Sequence, residues 1–327
     1  MFVNLFRRNQ PVVLFLLVLL VPLTWPGPLA GAAHAREQLA GGMPLAQAVG
    51  GLLADLPWLA WVLGLVLTAA LALQFDQLAN RAGLFDRPNH LVALLLPATL
   101  VLGPNGGWAD PALLGLPFVT WSMVRAWAVQ GRSQVFGELF DAGLLLGLAT
   151  LWYVPYAFVV VAVWAGVAVM RPFQWRDYLL PVLGMGVVLF LAWGVLRLSG
   201  AAPWEPLRTV ATGAATAVHH RSALWLAFML LLVLPMALIG IKAFLDHYQR
   251  CIMREKNVRS AFVALSLVMV VLVTFELLLN GTFPSALLAA PMAVVMGYGL
   301  LRPRRVFLAE LAFLGLVAGA AWMRWGG

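Results

Sequence analysis

Between residues 200 and 222 the chain places Trp204, Glu205, Arg208, His219, His220 and Arg221. The set joins an acid/base pair, two cations and an aromatic ring. Arginine forks pair bidentately with phosphate, so this constellation suits a phosphate-bearing substrate. Arg197 lies about one turn back, inside an apolar run, where an unpaired charge is costly. It is expected to face inward and meet Glu205, Glu276 or the substrate. The bland reading of the same residues is an exposed loop between helices. Adjacent histidines rarely converge on one ion without further ligands, and none stand nearby, so His219 and His220 are not read as a metal site.

Other acids fall in or beside apolar runs. Glu138 and Asp141 are three apart, on one face of a helix near its start. Two carboxylates so close can share a proton and serve a proton relay or a cation site. The plainer reading is a solvated helix start, since acids favour helix N-termini and Arg132 and Arg176 are available as partners. Glu310 has Arg304 and Arg305 close by, and a salt bridge accounts for it. Glu276 stands one turn before Asn280 with no basic neighbour in sequence, which makes it the sharper candidate. Near the start, Glu37 and Asp55 are the acids of a segment, 31–56, whose Leu39, Met43, Leu45, Val49, Leu52 and Leu53 recur at roughly helical spacing. That segment reads as an amphipathic helix lying on a membrane surface.

The elements that position these groups follow from composition. The chain has 327 residues, 63% hydrophobic and 10% charged, with mean hydropathy +0.92. A soluble domain carries roughly 25% charged residues, and a core of this size could not hide the apolar excess. A bilayer can. Unpaired backbone groups in hydrocarbon are costly, so spans are helices or closed barrels. Long continuous apolar runs, such as 179–198 and 261–279, select helices. The expected fold is therefore all-α: a single polytopic transmembrane bundle over residues 1–327.

A first apolar run follows Arg7 and Arg8 and continues to about residue 30. Ala33-His34-Ala35 resembles a signal-peptide cleavage site, but the length of the run favours a retained anchor. Ten further spans follow, at 57–75, 91–102, 111–124, 135–151, 154–170, 178–198, 223–245, 261–279, 284–301 and 306–323. The runs 91–102 and 111–124 are short against the ~20 residues a bilayer needs.

With the N-terminus inside, the inner loops hold sixteen basic residues: Arg7, Arg8, Arg81, Arg87, Arg125, Arg132, Arg171, Arg176, Lys242, Arg250, Arg254, Lys256, Arg259, Arg302, Arg304 and Arg305. The outer side holds five, Arg36, Arg197, Arg208, Arg221 and Arg324. This positive-inside bias predicts about eleven spans with the C-terminus outside. The net charge of +8 is then a topology signal, and no nucleic-acid partner is expected. Trp25, Trp58, Trp152, Tyr153, Trp204, Trp322 and Trp325 mark the outer ends, and Trp127 and Trp175 the inner ends. Residues 246–260 form the densest charged stretch of the inner side. They are read as a helical extension meeting anionic headgroups or a partner.

Several inner motifs share an order and spacing with a known group. They are Leu5-Phe6-Arg7-Arg8-Asn9-Gln10-Pro11, Asn80-Arg81 with Leu84-Phe85-Asp86-Arg87-Pro88-Asn89-His90-Leu91, Phe140-Asp141-Ala142-Gly143, and Arg171-Pro172-Phe173-Gln174-Trp175-Arg176-Asp177-Tyr178. Together they resemble a bacterial family of multi-pass inner-membrane proteins known only as a domain of unknown function. The resemblance implies a fold and a place in the inner membrane, and no activity. Gly143-Leu144-Leu145-Leu146-Gly147-Leu148-Ala149 is similar to a segment of polyprenyl-phosphate-sugar-dependent (GT-C) glycosyltransferases and glycan polymerases. Small residues at this spacing also serve close helix packing. In GT-C enzymes the first outer loop carries a catalytic carboxylate, a role for which Glu37 and Asp55 are the acids present.

Exclusions narrow the field. The five histidines are too few and too dispersed for a di-iron oxygenase, and no P-loop sequence occurs. The single Cys251 rules out an internal disulfide. No cofactor or metal is expected. Three functions remain: an envelope enzyme acting on a lipid-linked phosphate substrate at the outer face, a transporter or flippase using buried acids, and a non-catalytic subunit with a membrane-protein partner. The residues between 200 and 222 favour the first.

Overall fold

The structure, a computed structural model, describes residues 6, 15, 17, 21–22, 43–53, 56–100, 110–132, 134–199, 228–280, 283–301 and 306–325. Among the described residues it is all-helical, with 87% helix and no strand. The α-helices are α1 (Pro44–Leu53), α2 (Pro57–Arg81), α3 (Leu91–Leu100), α4 (Pro111–Trp127), α5 (Phe136–Thr150), α6 (Val160–Met170), α7 (Trp175–Leu198), α8 (Leu234–Arg250), α9 (Met253–Asn280), α10 (Ser285–Leu301) and α11 (Val306–Trp325). A 3₁₀ turn, Val154–Val159, leads into α6, and a π turn, Met229–Val233, into α8. Four helices are long and apolar enough to cross a membrane: α2, α7, α8 with its π turn, and α9.

Local chemistry sets the boundaries. Pro57 and Pro111 open α2 and α4, where a missing N–H costs nothing. Asp110 caps α4 by accepting from the Ala112 N–H at 2.9 Å. Gly83 (φ 65°) and Gly131 (φ 76°) reverse the chain beyond α2 and α4 in a conformation other residues resist. The stretch 246–260, read from sequence as a helical extension on the inner side, is helix except for Cys251 and Ile252. It consists of the last turn of α8 and the first two turns of α9.

All ten residues of α3 are buried, and α10 is nearly as enclosed. These two helices pack on each other at the centre, with Ser285 Oγ donating to the Leu100 carbonyl (2.9 Å) and Thr99 Oγ1 to that of Ala289 (3.1 Å). That explains why 91–100 shows no amphipathic period: it has no solvent or lipid face. α2, α4 and α8 surround this pair, α5 carries α7, and α6 carries α9. α7 is the least enclosed of the long helices, with 11% of its apolar window buried.

Glycines govern the closest crossings. A Cβ on Gly143 of α5 would stand 2.1 Å from the Pro181 carbonyl oxygen of α7, and one on Gly184 2.4 Å from that of Phe140. Gly143 and Gly147 therefore act as packing positions against α7. On the far side, Gly240 of α8 meets the backbone of Val295 in the same way.

The connecting turns sort into two ends. Gln130 of the α4–α5 turn donates to the Arg254 carbonyl, and Arg171 Nη1 of the α6–α7 turn to that of Arg132. Arg259 ties the α2–α3 loop to α9. These contacts gather the turns at 82–90, 128–132, 171–174 and 251–252 at one end, which is rich in arginine. At the opposite end the Leu45 N–H of α1 donates to the Leu151 carbonyl (3.3 Å), and the Tyr156 hydroxyl to that of Ala112.

Candidate functional site

Three helix ends bring acids together away from the basic end. Asp110 caps α4, Tyr153 precedes the turn into α6, and Glu276 lies on the penultimate turn of α9. Glu276 faces both others: its charge acts on Asp110, and it accepts from the Tyr153 hydroxyl. Burial is the main cause that pushes the Asp110 carboxyl up to about 6. The Glu276 charge pushes the same way, against the N–H groups of Ala112 and Leu113. Burial and Glu276 also raise the Tyr153 phenol, which stays a neutral donor. The cluster thus holds two carboxylates, one titrating near neutrality, and a fixed proton donor. Such a group can carry a proton to or from a bound hydroxyl or phosphate.

Glu276, singled out from sequence because it has no basic neighbour, lies beside Asp110 and Tyr153. Its partners, Asp110 and Tyr153, were not singled out from sequence. Asp110 sits in a Trp-Ala-Asp-Pro stretch that reads as a helix start, and Tyr153 reads as an interface aromatic.

Arg197 differs from expectation. It is exposed on the last turn of α7, a helix that packs chiefly on α5 and α6 among the described residues, and it forms no ion pair among them. No ion pair or hydrogen bond joins it to Glu276 among the described residues. Glu205, Arg208, His219, His220 and Arg221 lie outside the described residues, as do Glu37, Asp55, Arg304 and Arg305. Glu138 and Asp141 are explained by neighbours. Arg132 pairs with Glu138, and Arg125 Nε stands 3.9 Å from Asp141. Arg176 was the other expected partner. It lies instead over the Trp175 ring, while Arg171 pairs with the buried Asp177 at 3.3 Å.

The basic end holds a second polar centre that sequence reading passed over. Asp76, 3% exposed in α2, meets His90 Nδ1 through Oδ2 at 2.7 Å. Asn80 Nδ2 donates to the same oxygen (3.2 Å) and to the Asn89 carbonyl (2.9 Å), and Asn80 Oδ1 accepts from the Asn89 N–H. This clasp closes one side of the 82–90 loop. Arg259, 1% exposed, closes the other. Its Nε donates to the Leu84 carbonyl at 3.2 Å, and Nη1 to Glu255 Oε2 at 3.1 Å. Nη2 lies 2.8 Å from His247 Nε2. The Tyr298 hydroxyl donates to the same Leu84 carbonyl. The signal available in the sequence was the i, i+4 pair Asp76/Asn80 on one helix face, just before Asn89-His90.

No group of three or more possible metal ligands occurs among the described residues. Comparison with protein-family models, with characterised proteins and with solved structures gives no match to this chain.

Proposed function

We propose that the chain is a multi-pass inner-membrane protein of the uncharacterised bacterial family it resembles, with about eleven spans, an inner N-terminus and an outer C-terminus. In this reading it acts on a lipid-linked phosphate substrate at the outer face. The gathering of Arg81, Arg87, Arg125, Arg132, Arg171, Arg176, Arg250, Arg254 and Arg259 around turns that touch one another supports that orientation. In that proposed orientation the Asp110–Glu276–Tyr153 cluster would stand at the outer face.

The observation that carries the reading is this cluster. A buried carboxyl pushed up to about 6, beside a second carboxylate, can take the proton of an incoming hydroxyl or return one to a departing phosphate. The phosphate needs cations, and Arg208 and Arg221 of the outer segment 200–222 are the residues assigned to it. Glu205, His219 and His220 are further proton carriers in the same segment. Arg197, exposed at its base, serves the headgroup region and is not counted in the site.

The test uses the full chain in nanodiscs, with a polyprenyl-phosphate-linked hexose as probe. Release or transfer of the hexose is expected, with loss of roughly 100-fold in Glu276→Gln and Asp110→Asn, the size of one lost acid/base group. Arg208→Ala should weaken probe binding, and Arg197→Lys should leave it unchanged. No probe binding by the wild type, or full activity in both acid variants, would overturn the reading.

A second reading, a proton-coupled transporter, draws support from the buried Asp76–His90 pair at the other end of the bundle. Proton flux into liposomes that is abolished by Asp76→Asn would favour it.

A further inference from the structure

Two contacts converge on one atom of His247. Arg259 Nη2 lies 2.8 Å from His247 Nε2, and Asp86 Oδ1 lies 3.0 Å from it. A guanidinium only donates and an ionised carboxylate only accepts. With a lone pair on Nε2, the ring accepts from Arg259 but turns that lone pair toward the carboxylate. With a proton on Nε2, it donates to Asp86 but faces a guanidinium N–H. One ring nitrogen is thus held between partners with opposite demands, and it cannot satisfy both at once.

The surroundings decide which part yields. Arg259 is buried and tied to Leu84 and Glu255, so it is fixed. Asp86 rides on a loop clasped by Asn80 and Asn89 on one side and by Tyr298 on the other. His247 occupies the last turn of α8, four residues before the break at Cys251, whose thiol donates to the His247 carbonyl at 3.0 Å. The His247 side chain is thus the member with a choice of partner.

We infer that His247 is a proton-operated latch at the basic end: neutral, it joins the α8–α9 corner to Arg259, and protonated, it leaves the guanidinium and joins the corner to Asp86 of the α2–α3 loop. Every element packed on the ring supplies a charged or titratable group. Arg259 and Glu255 come from α9, Asp86 from the loop, and Tyr298 from α10 with ring centroids 5.6 Å apart. Asp246, Tyr248 and Arg250 neighbour it on α8, and Cys251 follows. Protonation puts a second cation beside Arg259 and offers the Asp86 carboxylate a cation to pair with, so both effects drive the ring the same way. Imidazole is the side chain that titrates between about pH 5 and pH 8. The inference concerns the opposite end of the bundle from the proposed substrate site and does not rest on it.

Amide hydrogen exchange of the full chain in nanodiscs, corrected for intrinsic rates, tests the latch. Between about pH 7.5 and pH 5.5, exchange over residues 246–260 of the wild type should change at least tenfold, roughly the exchange of one charge-assisted hydrogen bond. His247→Gln should abolish the step. A carboxamide accepts from Arg259 through Oε1 and donates to Asp86 through Nε2 at once, and it does not titrate. Asp86→Asn should move the step to lower pH, because protonated His247 then lacks its counter-charge. A wild type that shows no step, or His247→Gln with the wild-type step, would overturn the latch. The latter result would assign the change to Glu255 or another acid.

Discussion

Single residues in this bundle are set by what surrounds them more than by their type. Asp110 and Asp177 are both aspartates at helix starts, yet Asp177 faces Arg171 while Asp110 faces Glu276. The consequence is a pH dependence with a definite sign. Asp110 is pushed from 3.8 up to about 6 in the folded protein. Between those values the folded state holds a proton that the unfolded state has lost, so stability rises as pH falls through that window and is flat below it. Asp110→Asn should remove this slope while keeping the N-cap, since asparagine caps as well as aspartate. Thermal unfolding in detergent across pH 4 to 6.5 measures it, and an unchanged slope would separate Asp110 from the effect. Arg259 illustrates the same rule from the other side. A buried guanidinium is tolerable because Leu84, Tyr298, Glu255 and His247 all receive it.

At the scale of elements, small residues decide how near two helices come. α5 and α7 meet where Gly143 and Gly184 leave room for the carbonyls of Pro181 and Phe140. Backbone cannot give way as a flexible side chain can, so adding bulk there forces the helices apart. Gly184→Val should lower stability by about 3 kcal/mol, at the upper end of overpacking costs. Gly186→Val, two residues along the same helix, meets open space and should cost about 1 kcal/mol or less. Reversible unfolding in detergent or by steric trapping compares the two. Equal losses would mean that helix propensity, not the α5–α7 crossing, sets the effect. The glycine-rich segment 143–149 is accounted for by this packing, so its similarity to glycan-enzyme helices carries no separate weight.

At the scale of the whole molecule, the outward faces are apolar. Phe190, Leu191, Trp193, Val195 and Leu198 of α7 are all exposed, as are Leu267, Val270, Val271 and Phe275 of α9. In water such surfaces would drive association; in a bilayer they contact lipid tails. The proposed orientation predicts that a reporter fused at Arg254 reads the inner side and one fused after Gly327 the outer side. Reporters on the same side would remove one span from the count of eleven and put the Asp110–Glu276 cluster in question only if the Arg254 fusion is the one that reads outside.

Hydropathy and the placement of Lys and Arg were enough to read an all-helical fold with helices apolar enough to cross a membrane, the helices from α2 to α11 and the grouping of basic turns. Those properties depend on sums over many residues, and a bilayer imposes them on any order of helices. Boundaries at prolines and glycines were legible too, because each acts through its own backbone. The polar centres were not. Asp110, Tyr153 and Glu276 come from three separate helix ends, and Asp76, Asp86, His247, Arg259 and Tyr298 from α2, its loop, α8, α9 and α10. Which face each helix turns inward, and which neighbour it finds there, is settled by side-chain packing between segments far apart in the chain. That is why Arg197, expected to point inward, lies exposed on α7, while Arg259, counted among the charges of a loop, is the most deeply buried cation of the described residues.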